Sequence, residues 1–201
     1  MVRHIQDKYI MLDTVIGFSA PFICSLLGQM IFATDYAGQV PIYKPETIVL
    51  IEFGLSFLLL GSTVMGLKLE DEKKILPAAG FTMLAISAGV MMSSLFEITQ
   101  VSSAESFEKY YFITISSNFL YFPAMLLIAF YDGFKIWIRW LGLISCLPLL
   151  ISSILFLTHY RNYSMLEIIT NCGYLLMGLA QCIWAINIYI NYKKKLEITE
   201  Q

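Results

Sequence analysis

The sequence predicts an all-α polytopic membrane protein, a bundle of six transmembrane helices in a single domain. Hydrophobic residues make up 58% of its 201 residues and charged residues only 14%, against about a quarter charged in soluble domains. The apolar residues gather into six runs, each close to the roughly 20 residues needed to cross the hydrocarbon core. Because the segments between the runs are short, we expect one domain over residues 1–201.

We expect the six runs to be helices, because lipid cannot satisfy an open backbone and none of them alternates as a barrel strand does. The first run is too long for the core of a signal peptide and lacks a cleavage site, so it is predicted to be the first span. Pro21, Pro123 and Pro148 fall inside the first, fourth and fifth runs, where each is expected to bend its helix. The predicted spans are about 10–33, 47–67, 75–97, 110–131, 137–158 and 165–190.

The distribution of basic residues predicts the orientation. With a cytoplasmic N-terminus, ten of the 13 Lys and Arg residues lie on the cytoplasmic side, and only Lys44, Lys109 and Arg161 lie outside. This bias follows the positive-inside rule, so both termini are predicted to be cytoplasmic. Short loops and small size are typical of a bacterial inner-membrane protein.

Polar side chains recur at one depth in the spans that run inward. Glu52, Asn118 and Asn171 each lie six to eight residues into the second, fourth and sixth spans, roughly 10 Å below the outer interface at about 1.5 Å per residue. Ser93 and Glu97 reach the same level where the third span ends. Since polar residues in spans rarely face lipid, we expect these side chains to face the interior of the bundle.

The fourth and sixth spans share a polar pattern. In each, three polar residues at i, i+4 and i+7 lie on one helix face. The two trios are Thr114, Asn118, Tyr121 and Glu167, Asn171, Tyr174. In the sixth span the polar stripe continues through Gly178 to Gln181.

These residues predict a polar site near the outer leaflet that binds, senses or moves a small polar solute or a lipid head group. Glu52 is the expected charged anchor, because a carboxyl at that depth is costly unless it is paired, protonated or solvated. The neutral residues leave a second interpretation open, in which they hydrogen-bond across helices at about 0.6 kcal/mol each and hold the bundle together. The candidate ligand-binding residues are Glu52, Glu97, Asn118, Tyr121, Glu167, Asn171 and Tyr174.

A different class of function is also open. Ala85, Gly89 and Ser93 form a stripe of small residues on the third span, and such stripes let helices approach closely. The protein would then be a structural subunit that binds a membrane-protein partner or a second copy of itself. Membrane lipids are expected neighbours in either case.

The sequence offers no catalytic or metal-binding motif. The two histidines, His4 and His159, lie at opposite ends of the predicted bundle, so they cannot form a bis-histidine haem, zinc or di-iron site. The four cysteines lie within spans without a C-x-x-C pair, and no nucleophile elbow or phosphate-binding loop occurs. We therefore expect a non-enzymatic protein without a cofactor, a metal or a nucleic-acid partner.

The layout resembles the six-helix membrane proteins related to DRAM and their bacterial relatives. The resemblance covers most of the chain and rests on an outer first loop followed by "IEFGLSFLLLGSTVMGLKL", "LPAAGFTMLAISAGVMMSSLFEI" and "LEIITNCGYLLMGLAQCIWAINIY". It implies a non-catalytic role in membrane lipid organisation or stress response, and it implies no site residues.

Overall fold

The computed structural model describes residues 2–31, 35–37, 40–42, 44–98, 101, 103–160 and 162–199. Within these ranges it contains six helices that are long and apolar enough to cross a membrane. This confirms the predicted all-α class of six-helix transmembrane bundle. The helices are α1 (Val2–Ile31), α2 (Pro45–Asp71), α3 (Ile75–Ile98), α4 (Ala104–Ile128), α5 (Ile136–Ser145), α6 (Leu147–Leu157) and α7 (Tyr163–Thr199).

The connection between α1 and α2 holds an element that the sequence did not predict. Two short strands, β1 (Asp35–Ala37) and β2 (Val40–Ile42), pair antiparallel as a hairpin. We call the end of the bundle that carries this hairpin the hairpin end, and the opposite end, where the first and last helices have their chain termini, the termini end.

The fifth predicted span is two helices rather than one. α5 and α6 meet at Cys146, and Pro148 lies in the first turn of α6. Proline has no N–H to donate to the carbonyl four residues earlier, so the helical hydrogen bonding is interrupted there. The bend predicted at Pro148 is therefore a break between two helices, whereas α1 and α4 continue through Pro21 and Pro123.

Three helices extend well beyond their apolar runs, and one of them is α1, which begins at Val2 whereas its predicted span begins at about residue 10. α7 continues to Thr199, because its polar last turns are good helix formers although they add nothing to the membrane span. α4 begins at Ala104, where the side chains of Ser103 and Ser106 form a reciprocal capping box. Hydrophobicity alone locates the spans but not these helix ends.

The six spans form a closed ring in chain order. Each packs against the next, α5 and α6 together form the fifth member, and α7 returns to pack against α1. At the α1–α2 contact, a Cβ added to Gly17 would lie 2.5 Å from the Cα of Gly61, so only glycine permits this approach. Large apolar side chains face outward from every span, as expected for contact with lipid; examples are Ile16, Phe53, Ile86, Phe119, Ile151 and Leu176.

Candidate functional site

A cavity of about 90 Å³ lies inside the ring, where side chains of α1, α2, α3, α4 and α7 converge. We call it the central cavity. A water molecule needs on the order of 10–15 Å³ of such volume, so several waters or one small polar group fit. Its described lining residues are Pro21, Ser25, Thr47, Ile48, Ile51, Leu55, Leu58, Met91, Leu95, Tyr110, Tyr121, Glu167, Thr170, Asn171, Tyr174, Met177, Gly178 and Gln181.

Glu167 is the one carboxyl-bearing residue among the described residues that line the central cavity. It is 2% exposed. Its Oε1 accepts a hydrogen bond of 3.2 Å from Asn171 Nδ2, one turn further along α7. Its Oε2 has no hydrogen-bond partner among the described residues. The carboxyl is thus positioned through one oxygen and unsatisfied at the other.

Gln181 lines the other end of the cavity. It is 1% exposed, and its Nε2 has no partner in the described part of the chain. Fourteen residues separate it from Glu167, about 21 Å along the helix axis. Because Glu167, Asn171, Tyr174, Gly178 and Gln181 all line the cavity, the polar stripe predicted for the sixth span faces the interior.

The predicted trios of the fourth and sixth spans meet side by side. The Tyr174 hydroxyl donates to Asn118 Oδ1 at 2.8 Å and also contacts Met91 Sδ at 3.3 Å. Asn118 Nδ2 in turn donates to Ser153 Oγ on α6 at 3.3 Å. The rings of Tyr121 and Tyr174 pack edge to face, with centroids 6.4 Å apart. These contacts join α3, α4, α6 and α7 into one wall.

Asn118 itself is a wall residue rather than a lining residue. Its side chain is 1% exposed and both of its amide atoms have partners in neighbouring helices. It holds Tyr174 in place, and Tyr174 lines the cavity. For Asn118 the structure therefore shows the interhelical hydrogen bonding that the sequence left open as its second interpretation.

A buried cluster of aromatic rings lies beyond Gln181 along α7, towards the termini end. The Trp184 ring, one turn beyond Gln181, packs against Phe18, Phe81 and Phe134 with centroid distances of 6.0, 6.0 and 5.4 Å. All four side chains are at most 1% exposed. We call this group the aromatic plug. It joins α1, α3 and α7 to the connection between α4 and α5.

Two of the predicted site residues lie elsewhere. Glu52 does not line the central cavity; it is half-buried and lines an adjoining groove with Phe96 of α3 and with Leu95, which borders both. Glu97 forms an ion pair of 3.0 Å with Lys109 at the hairpin end. The structure brings Tyr121, Glu167, Asn171 and Tyr174 to the central cavity, with Asn118 behind them. The charged residue of the cavity is thus Glu167 and not Glu52, because α2 turns Glu52 towards the α3 side of the ring.

Several lining residues were missed at the sequence level. Tyr110, at the predicted start of the fourth span, is 4% exposed and lines the cavity. Met91, Leu55 and Leu58 also line it. Only the position of Tyr110 one helical turn before Thr114 could have signalled its inward face, and an apolar lining residue carries no such signal.

Among the described residues, no group of three or more His, Cys, Asp or Glu side chains is placed to hold a metal ion. The chain matches no protein-family model, no curated protein and no solved structure. The resemblance to DRAM-related proteins stays a prediction.

Proposed function

We propose that this chain is a non-enzymatic integral membrane protein that binds a small polar solute or a lipid head group in the central cavity, in order to sense or move it. One observation carries the proposal. Two fully buried polar side chains that line the cavity, Glu167 and Gln181, each leave an atom without a partner among the described residues.

Such atoms are unusual in a folded protein, since most buried polar atoms are hydrogen-bonded. Each unsatisfied atom costs about 1–3 kcal/mol, and more if it is charged. A ligand that supplied the missing partner of Glu167 would offset this cost at one end of the cavity. Ionisable side chains inside a membrane bundle also mark functional sites more often than structural ones. Both considerations support binding at Glu167.

The orientation in this proposal follows the basic residues. The termini end would face the cytoplasm and the hairpin end the outside, so that Glu167, close to the start of α7, would lie near the outer leaflet. A bacterial inner membrane is the setting that the short connections favour. In this arrangement the aromatic plug separates the cavity from the cytoplasmic side, so that transfer through the bundle would require the plug to move.

Native mass spectrometry tests the proposal on protein extracted in mild detergent from its own membrane. The wild type is expected to carry a discrete small mass that Glu167→Gln loses. Glu52→Gln is the matched control, because it makes the same change outside the central cavity, and it should retain the mass. Wild-type protein without any bound mass would contradict the proposal. Loss of the bound mass in Glu52→Gln alone would indicate that the ligand binds in the groove beside α3.

A second candidate function is that of a structural or partner-binding subunit. The observation that favours it is the open space beside Gly89 on α3. A Cβ added at Gly89 would meet only one of the described atoms, Leu59 Cδ1, at 3.7 Å. Ser93 on the same stripe is exposed, whereas Ala85 is buried within the bundle. A partner helix packed on this face would be displaced by Gly89→Leu, which cross-linking in the native membrane would detect as loss of an adduct.

A further inference from the structure

We infer that the ligand of the central cavity is an organic ammonium ion with apolar substituents, held at the Glu167 end. This inference rests on the proposed function and names the chemical class of its ligand. The acidic group, the aromatic rings and the poor fit of the described lining residues to a metal ion each support it.

The charge of the lining residues favours a cation. The described lining residues include one acidic group, Glu167, and no Lys, Arg or His. An anionic ligand would meet a carboxyl and no positive counter-charge in a medium of low dielectric constant. A cation would instead pair with the carboxyl and give the unpartnered Oε2 its missing interaction.

Aromatic rings specify the cation further. Tyr110, Tyr121 and Tyr174 line the same cavity as Glu167. Tyrosine faces attract ammonium groups, and rings around a substituted ammonium are a common way to bind it. Leu55, a lining residue of α2, adds an apolar surface for alkyl substituents. A strongly hydrated, compact cation would find few groups there to replace its water.

A metal ion suits the site poorly. Ca²⁺ takes six to eight oxygen ligands and Mg²⁺ demands octahedral oxygen coordination. The lining offers one carboxyl, and its other oxygen-bearing groups are the neutral amides of Asn171 and Gln181 and the hydroxyls of serine, threonine and tyrosine side chains. A single carboxylate is a weak donor set for a divalent ion that prefers several charged oxygen ligands. Ammonium groups need far fewer ligand atoms.

Two sources could supply this chemistry. One is the head group of an amine-bearing phospholipid, and the other is a free, substituted amine in solution. Gln181, about 21 Å further along α7, is too far to contact the same small head group. We do not require it as a ligand of the ammonium.

The test compares choline with 3,3-dimethyl-1-butanol, which has the same shape without the charge. Binding to the purified full-length protein is measured by calorimetry, in parallel with thermal unfolding. Choline is expected to bind at least tenfold more tightly than the alcohol. Glu167→Gln should remove most of this preference, while Glu52→Gln should keep it.

A second comparison tests whether the ligand is a lipid head group. Dihexanoyl phosphatidylcholine is compared with dihexanoyl phosphatidylglycerol, which has equal chains but no ammonium. Preference for the choline lipid with no binding of free choline supports the inference and assigns the lipid source. Binding of free choline in preference to the neutral alcohol supports it and assigns the solute source.

Measurable and equal binding of choline and the neutral alcohol would overturn the ammonium assignment while leaving the proposed function standing. Where neither of these binds, measurable and equal binding of the two lipids would do the same. Binding of none of the four probes, although native mass spectrometry shows an occupied Glu167-dependent site, would also overturn it alone. An empty wild-type protein in both experiments would overturn the proposed function as well. The comparison of isosteres uses the wild type, so it remains decisive even if Glu167→Gln fails to fold.

Discussion

Replacing Asn118 by alanine tests whether this residue holds the cavity wall together. The side chain makes two hydrogen bonds to other helices, one from Tyr174 and one to Ser153. Interhelical hydrogen bonds in membranes average about 0.6 kcal/mol, so the two together contribute about 1.2 kcal/mol. Ser153 still donates to its own helix at Leu149, and Tyr174 keeps its contact with Met91. We therefore expect Asn118→Ala to lower the free energy of unfolding by about 1–2 kcal/mol.

A double-mutant cycle isolates the Asn118–Tyr174 bond from the small void that alanine leaves. Asn118→Ala, Tyr174→Phe and the double variant are unfolded reversibly by titrating SDS into mixed micelles. We expect a coupling energy of about 0.6 kcal/mol between the two positions. Ser116→Ala is the control, because its exposed hydroxyl donates to the Phe112 carbonyl of its own helix and to no other helix among the described residues. A coupling energy within error of zero would refute the hydrogen-bonded wall.

Three further predictions follow from packing, charge and orientation. Gly17→Leu should reduce the free energy of unfolding by about 3 kcal/mol or more, because the leucine side chain would collide with the backbone of Gly61 in the α1–α2 contact. SDS titration measures this loss, and stability near that of the wild type would refute the contact. The hydrogen bond from Lys74, 2.9 Å away, holds the pKa of the Asp132 carboxyl below its usual range. This interaction is present above the ordinary aspartate pKa and is lost as the pH falls through the lowered value, so Lys74→Met should raise that pKa in an NMR titration; an unchanged pKa would contradict the pairing. In a cysteine-free background, a membrane-impermeant maleimide added to intact cells should label Asn162→Cys at the hairpin end but not Asp132→Cys at the termini end, and the reverse result would invert the proposed orientation.

The number and kind of spanning elements could be predicted from the sequence, because hydrophobic length and backbone hydrogen bonding in lipid permit few alternatives. All six predicted spans are present. The inward faces of α4 and α7 were also predictable, since the positions of Asn118 and Asn171 within their trios follow from helical periodicity. The end of α7 was not, because polar turns that continue a helix outside the membrane leave no hydrophobic signal.

The location of the charged residue was decided only by the tertiary structure. Glu52 and Glu167 are both carboxyls within predicted spans, and hydropathy treats them alike. The rotation of α2 in the ring places Glu52 in a groove beside α3, while α7 turns Glu167 into the central cavity. Helix rotation depends on contacts such as Gly17 against Gly61, which join residues far apart in the chain. A single sequence determines which residues are costly to bury in a membrane, whereas packing determines which of them share a cavity.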